Sequence, residues 1–385
     1  MPKHRRKKHA TIIYEMIPQN RVYQKVIQPK TMTNSNNESI RDEVTNTKLE
    51  THSNNKNIQD KFNNTKLEVH SNRKNIRNKF NDEKLEVHAN TLDVWDEIAL
   101  TEIQAGEYTS LFKEKSKYQD INLVQVNDMR LYLDKQLQFS SVDEQIYHEA
   151  LVHPIMSKVE DPQYVLILGG GDALALREVL KYENVLHVDL VDLDEEMIRI
   201  AREIPEVVAL NQGALFDDRV NVHICDAMQF LQSHPLLYDV IIIDFPDPAN
   251  ELLSQLYTKE FFTLVSFFLT EGGAFVCQSN SPIDTPLVYW SIGKTIRSAG
   301  LTVKSYHTIV PSFGNDWGFH IATNQSAILK RIEQLSVTVP QRTLPPTLSP
   351  LFQFRKELLE QQDSAVLNTQ DNLTLHDCYR KDMQF

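Results

Sequence analysis

The sequence predicts an α/β fold: a doubly wound, mostly parallel seven-stranded sheet preceded by a small β domain. Three observations predict it. Apolar runs at 164–168, 185–191, 220–224, 238–244 and 274–277 have the continuous character of parallel strands buried on both faces. Helical patterns at 174–181, 195–203, 227–231, 259–268 and 286–299 alternate with them, the order of a wound sheet. Acids and glycines gather where these strands end, which is where such sheets bind ligands.

The first segment in chain order is a leader, 1–90, and it is not a domain. It carries 18 Lys and Arg against 10 Asp and Glu, leaving 22 against 42 in the remainder, so a basic leader precedes an acidic body. An 18-residue repeat matches 47–54 to 65–72 and 83–90. Eighteen residues make five helical turns, which would align Ile58, Phe62, Val69, Ile76 and Phe80 on one stripe. Each unit is rich in Asn and offers few apolar side chains, so a disordered or marginally helical leader is expected. Its start, Lys3, Arg5, Arg6, Lys7 and Lys8, is a solvated tail that could contact an anionic partner. The stretch 10–17 contains Glu15 and is too short for a secretory signal.

The small β domain, 91–150, is read from alternating stretches at 123–127 and 130–134 around the turn pair Asn127 and Asp128. Helical spacing follows at 142–151. The wound unit occupies 151–330, closed by strands at 301–310 and 318–323, and a Pro-containing wrapping tail occupies 331–385. The whole chain of 385 residues is 41% apolar and 24% charged, enough for two or three domains. Its longest apolar stretch, 261–277, is interrupted by Thr270, Glu271, Gly272 and Gly273, so no membrane span is expected. Three dispersed cysteines, Cys225, Cys277 and Cys378, exclude a disulfide scaffold and a cysteine-rich zinc module, and a cytoplasmic location is expected. No metal site is expected either, because the histidines lack ligand spacing. His148, His153, His307 and His320 read as structural, as does an Arg177–Glu178 ion pair.

The strand ends carry the chemistry. Gly169, Gly170 and Gly171 let backbone approach a ligand, followed by Asp172. Asp192 stands about 20 residues later, the place from which a carboxylate grips ribose hydroxyls. Asp226 followed by the small Ala227 suits an adenine amino group and ring. The glycines of a dinucleotide fingerprint are incomplete, so a mononucleoside sulfonium fits better than a dinucleotide. Asp244 and Asp247 flank Phe245 and Pro246 at the fourth strand end. Together Asp172, Asp192, Asp226, Asp244 and Asp247 would ring one cleft, selecting a cationic substrate and disfavouring a ligand that brings a carboxylate.

Several ordered blocks then resemble the polyamine aminopropyltransferases, the spermidine synthase-like family. Tyr118, Gln119, Asp120 and Ile121 are similar to its entry strand. Gln138, Asp143, Glu144, Tyr147 and Glu149 match Q-x-x-x-x-D-E-x-x-Y-x-E. Gly169 to Asp172 with 176–180 is similar to GGGDGG-x-LREVL. Residues 238–248 match Y-D-V-I-x-x-D-x-x-D-P. The resemblance covers about 94–323.

It implies a Rossmann-like catalytic domain that passes the aminopropyl group of decarboxylated S-adenosylmethionine, a co-substrate, to a di- or polyamine, releasing methylthioadenosine. It implies that Asp244 handles the amine proton, with Asp247 and Tyr147 placing the amine. Asp172 would hold the donor's amino end, Gln119 and Gln138 would add donor contacts, and Gln278 and Phe313 would face the acceptor. A homodimer or tetramer is implied as well. The sequence departs from the pattern at Ala173 and Leu174, at 245–246, at 249–251, and at Phe313, where the family has a tyrosine. The variant D-x-P-D-P resembles the branch often fused to membrane helices. Two rival readings are an S-adenosylmethionine-dependent methyltransferase and a polyamine or nucleoside sensor without turnover.

Overall fold

The computed structural model describes β1 (Ile12–Met16), β2 (Tyr23–Ile27) and residues 94–383. β1 and β2 pair with each other. Ile12, Ile13 and Tyr14 are β-branched or aromatic and suit extended backbone. The 18-residue repeat lies outside the described residues.

The small domain opens on a helix that the sequence reading had as part of a β unit: α1 (Val94–Ala105). Only Leu100 of α1 is buried, so it carries too thin an apolar stripe to announce itself. Four strands follow as an antiparallel meander, β3 (Thr109–Lys115), β4 (Asp120–Gln125), β5 (Met129–Leu133) and β6 (Gln136–Ser140). The Asn127–Asp128 turn joins β4 to β5, and Asp128 is held there by Arg130 Nε at 2.8 Å. Helix α2 (Glu144–Met156) then leads into the second sheet.

The chain continues through β7 (Tyr164–Gly169), α3 (Leu174–Val179), β8 (His187–Asp192), α4 (Glu195–Glu203), α5 (Pro205–Leu210), β9 (Val220–Ile224) and α6 (Ala227–Ser233). It returns with β10 (Tyr238–Asp244), α7 (Glu251–Ser254), α8 (Lys259–Ser266), β11 (Leu269–Gln278), α9 (Pro286–Ser298), β12 (Thr302–Val310) and β13 (Asn315–Thr323). The sheet order is β12-β13-β11-β10-β7-β8-β9. The five strands from β11 to β9 run parallel, and β13 is antiparallel to both β11 and β12. This is the expected seven-stranded wound sheet.

Burial on both faces explains the continuous apolar runs. Val165, Leu166, Ile167 and Leu168, and Val240 to Ile243 beside them, are wholly inaccessible. Each such side chain stabilises by about 1.5–3 kcal/mol relative to exposure. The chain winds outward from β7 to β9 and comes back to place β10 beside β7, with Asp244 in register with Gly169. The switch point therefore lies between the carboxyl ends of β7 and β10, where a crevice forms. The tail adds α10 (Lys356–Glu360) and α11 (Leu375–Asp382), and its Leu344, Leu348 and Leu351 are buried in the core that includes Ile155 of α2. Among the described residues no helix is long and apolar enough to cross a membrane.

Candidate active site

The glycines at the end of β7 are there because two acids come too close for a side chain. Gly169 has φ +83°, and a Cβ on it would lie 2.2 Å from the Asp244 carbonyl oxygen. A Cβ on Gly171 would lie 2.6 Å from Asp192 Oδ2. The turn thus brings the ends of β8 and β10 against the start of α3. Asp172 is fixed in it by the Leu174 N–H, which donates to Oδ1 at 2.9 Å. Ala173, where the resemblance has glycine, keeps the left-handed conformation at φ +66° and is buried.

Three carboxylates, Asp172, Asp192 and Asp244, are joined electrostatically. Burial raises Asp244 to about 6; His148 opposes that rise, Asp172 adds to it, and the Tyr147 hydroxyl, donating to Oδ1 at 2.5 Å, opposes it. Asp192 is also raised to about 6, by burial first and then by the charges of Asp194 and Asp172, against hydrogen bonds from the Asp194 and Gly171 N–H groups. Burial likewise raises Asp172, with His148 opposing. A cleft with three acids held this way favours a cation, which restores the ionised forms that burial opposes.

His148 is a residue that the sequence reads as merely structural. It follows Tyr147 on α2 and is buried, with Nδ1 2.8 Å from both the carbonyl oxygen and Oε2 of Glu144. Burial lowers its pKa, but Glu144, then Asp172 and Asp244, outweigh this and raise it to about 9. It is an imidazolium beside the acids, not a neutral core histidine. The available signal was Glu144 four residues earlier, on the same helical face.

On the other flank the turn after β10 is held from below. Tyr257 donates to the Pro246 carbonyl at 2.9 Å. The Gln278 amide donates to the Phe245 carbonyl at 2.6 Å and to the Tyr257 hydroxyl at 2.9 Å, with Asp247 Oδ1 at 3.4 Å. Gln278 is buried, so its influence on any ligand runs through the placement of Asp247. Phe313 lies in the turn between β12 and β13 and meets Tyr147 and Trp317, with ring centroids 5.8 and 4.7 Å away. These rings make an apolar wall beside the Tyr147–Asp244 pair.

The remaining sequence candidates are spread along the far flank. Gln119 Nε2 donates to Asp194 Oδ2 at 2.8 Å, and Ser116 Oγ donates to the same oxygen at 2.6 Å. Asp194 caps α4 and its N–H donates to Asp192, so Gln119 reaches the Asp192 corner through Asp194. Asp226 is exposed and caps α6, accepting from the Gln229 N–H at 2.9 Å, with Ala227 buried behind it. Gln138 is half-buried on β6 and donates to the Gln136 carbonyl of its own strand.

One group of metal-ligand type occurs among the described residues: Glu149, His153 and Glu178, whose ligand atoms lie within 4.8 Å of one another. All three are engaged by protein partners. The backbone and hydroxyl of residues 342–343 donate to Glu149, Arg177 and Lys181 pair with Glu178, and His153 Nδ1 meets the Tyr182 hydroxyl at 3.1 Å.

Known proteins resemble this chain in sequence and in fold. A family model described as the spermine/spermidine synthase domain matches residues 144–331. Polyamine aminopropyltransferase 2 of Bacillus cereus is 73% identical over 295 residues, covering 77% of this chain and 81% of that protein. Its namesake in Bacillus anthracis is 72% identical over 294 residues, covering 76% and 82%. A spermidine synthase solved in complex with the transition state analogue AdoDATO shares the fold at 22% identity and a TM-score of 0.61, over 66% of this chain and 88% of that one. The spermidine synthase of Thermotoga maritima does so at 22% and 0.57, over 66% and 86%.

Proposed function

The chain belongs to the polyamine aminopropyltransferases of the spermine/spermidine synthase family, and from that premise we propose the residue-level chemistry by which it moves an aminopropyl group. The donor is decarboxylated S-adenosylmethionine and the acceptor a di- or polyamine. The observation that carries the reading is the Tyr147–Asp244 pair at the switch point, a carboxylate raised to about 6 beside two more acids.

An amine attacks only when its lone pair is free. Its nitrogen forms a bond to the carbon next to the sulfonium sulfur as the carbon–sulfur bond breaks, releasing methylthioadenosine. The positive charge passes from sulfur to nitrogen, and Asp244 takes the proton. A carboxylate raised to about 6 is a better acceptor than an ordinary one while still ionised at neutral pH. Tyr147 fixes which oxygen of Asp244 faces the amine, so the approach is in line.

Asp172 holds the ammonium of the donor's arm and repels the carboxylate of ordinary S-adenosylmethionine. Asp192 takes the ribose hydroxyls, with Gly169 and Gly171 giving the backbone room, and Asp226 and Ala227 accept the adenine. Gln119 and Gln138 complete the donor side. On the acceptor side Asp247 holds an ammonium, Gln278 keeps Asp247 in place, and Phe313 supplies an apolar wall for the methylene chain. His148 keeps the acid cluster from being all-negative when no substrate is bound.

The test is calorimetric titration with decarboxylated and with ordinary S-adenosylmethionine, followed by a panel of diamines with methylthioadenosine read by chromatography. Preference for the decarboxylated donor and release of methylthioadenosine are expected. Preference for the carboxylated donor without that product would move the protein to the methyltransferases, and binding without product to the sensors. The same reading takes the enzyme as a cytoplasmic homodimer or tetramer, which light scattering and cell fractionation test, with an anionic partner for the basic leader.

A further inference from the structure

Glu149 sits two residues beyond Tyr147 on α2, about 200° round the helix, and is fully buried. Its carboxylate accepts from the Arg342 N–H at 2.9 and 3.2 Å, from the Thr343 N–H at 2.8 Å and from the Thr343 hydroxyl at 2.5 Å. All of these donors come from the tail, beyond residue 331 where the family domain ends. The neighbouring side chains serve another acid: Arg177 and Lys181 pair with Glu178, and His153 Nε2 lies 2.8 Å from Glu178 Oε2. The tail is itself anchored. Lys304 pairs with Glu333, Leu344, Leu348 and Leu351 are buried in the core that includes Ile155 of α2, and at the junction Lys158 Nζ donates to the Lys330 carbonyl at 2.8 Å.

Helix α2 therefore carries the Tyr147 hydroxyl on one side and a clasp to the tail on the other. We propose that tail residues Arg342 and Thr343 are a positioning element of the active site, setting the rotation of α2 through Glu149 and so the contact between Tyr147 and Asp244. The inference rests on the reading of Asp244 as proton acceptor. A buried carboxylate whose donors are removed must reorient or draw in water, and on this proposal the reorientation turns the helix that bears it. A small rotation is enough, because the Tyr147–Asp244 hydrogen bond is directional.

The experiment uses the full chain. Methylthioadenosine release by the wild type is measured first; its absence with every amine would sink the aminopropyl reading itself, and the inference with it. Glu149→Gln then places an amide N–H against donors that need an acceptor, and Thr343→Val removes the hydroxyl alone. Both are expected to lower kcat, Glu149→Gln by about tenfold or more, with donor affinity from calorimetry little changed. The acid limb of the kcat profile should move to higher pH, because Tyr147 is among the groups holding Asp244 down. The other groups facing Asp244 are His148 on α2, Asp172 after β7, Cys277 on β11, Tyr257 and Asp247, and none of them is altered. Thr343→Ser, which keeps the hydroxyl, should restore the wild-type profile. If Glu149→Gln does not fold, the Thr343 pair decides. A lower Tm with kcat and acid limb unmoved in the folded variants would overturn the proposal and leave the tail as a structural cover.

Discussion

Two sets of buried carboxylates share this fold and are treated in opposite ways. Glu144 and Glu178 are met by partners within the protein: Arg177 reaches both oxygens of Glu144 at 2.8 and 2.9 Å, and Lys181 and His153 reach Glu178. Burial pushes both up, yet hydrogen bonds from His148 and Arg177 hold Glu144 below its ordinary value, and those from His153 and Lys181, with the Arg177 charge, bring Glu178 to about 2. Asp172 and Asp244 are opposed chiefly by His148, an imidazolium hydrogen-bonded to Glu144, and Asp192 is held down only by the Asp194 and Gly171 N–H groups. The first set is completed by the protein. On the function proposed above the second is completed by a cationic ligand, and that difference marks the proposed site more sharply than the glycines do.

Breaking the second set should cost chemistry rather than stability. Asp244→Asn is expected to lower turnover by about 10³-fold with donor affinity retained. Its effect on stability has the opposite sign. The pKa of Asp244 is higher folded than unfolded, so the stability it contributes is fully present below about 4 and is lost as pH rises through about 6. The variant should therefore be more stable than the wild type at pH 8, by up to about 3 kcal/mol, and melting curves at pH 5 and 8 show whether the gap widens as expected. Normal turnover in this variant would remove Asp244 from the proton-transfer role.

Breaking the first set should do the reverse. Arg177→Met leaves Glu144 and Glu178 buried without their guanidinium and should destabilise by about 3–5 kcal/mol, seen in thermal melts. Glu178 titrates lower folded than unfolded, so its contribution is present above about 4.5 and lost as pH falls through about 2. The wild type and Arg177→Met should thus converge in acid. Stability that is unchanged at neutral pH would mean the network is not what holds α2 to α3.

Tyr147→Phe joins the two behaviours with a smaller effect. Loss of the hydroxyl bond to Asp244 should lower kcat about tenfold and move its acid limb upward, with little change in Tm, because the ring stays packed against Phe313 and Phe319. An unmoved acid limb would show that Asp244 titrates independently of Tyr147.

The sequence makes the second set easier to find than the first. Asp172, Asp192 and Asp244 end apolar runs, and a strand buried on both faces leaves the polarity change at its end conspicuous. The order of the strands follows from the alternation with helices. What could not be read requires contacts across the chain. His148 is raised first by Glu144 on its own helix, but the added charges of Asp172 and Asp244 reach it only because β7 and β10 bring them there, and Glu149 meets a tail 193 residues away. The Gln278 amide turns back to the Phe245 carbonyl, a contact no spacing rule suggests. Helix α1 stayed hidden because Trp95 and Ile98 are exposed, leaving no stripe to detect.

The smallest effect is expected where the sequence departs from the glycine pattern. Ala173 is a left-handed residue with a side chain, in a conformation that costs roughly 1 kcal/mol relative to glycine. Its methyl group is wholly buried, which returns about 0.8 kcal/mol, and alanine restricts the unfolded chain more than glycine does. These terms nearly cancel, so Ala173→Gly should change stability by less than about 1 kcal/mol and donor affinity by less than about twofold. The turn is fixed by its neighbours: the Ala173 N–H donates to Gly170, Leu174 holds Asp172, and Gly169 and Gly171 admit the two flanking acids. A large loss of donor binding in Ala173→Gly would mean that residue 173 shapes the turn after all, and that the acids depend on local strain as well as on the strands that carry them.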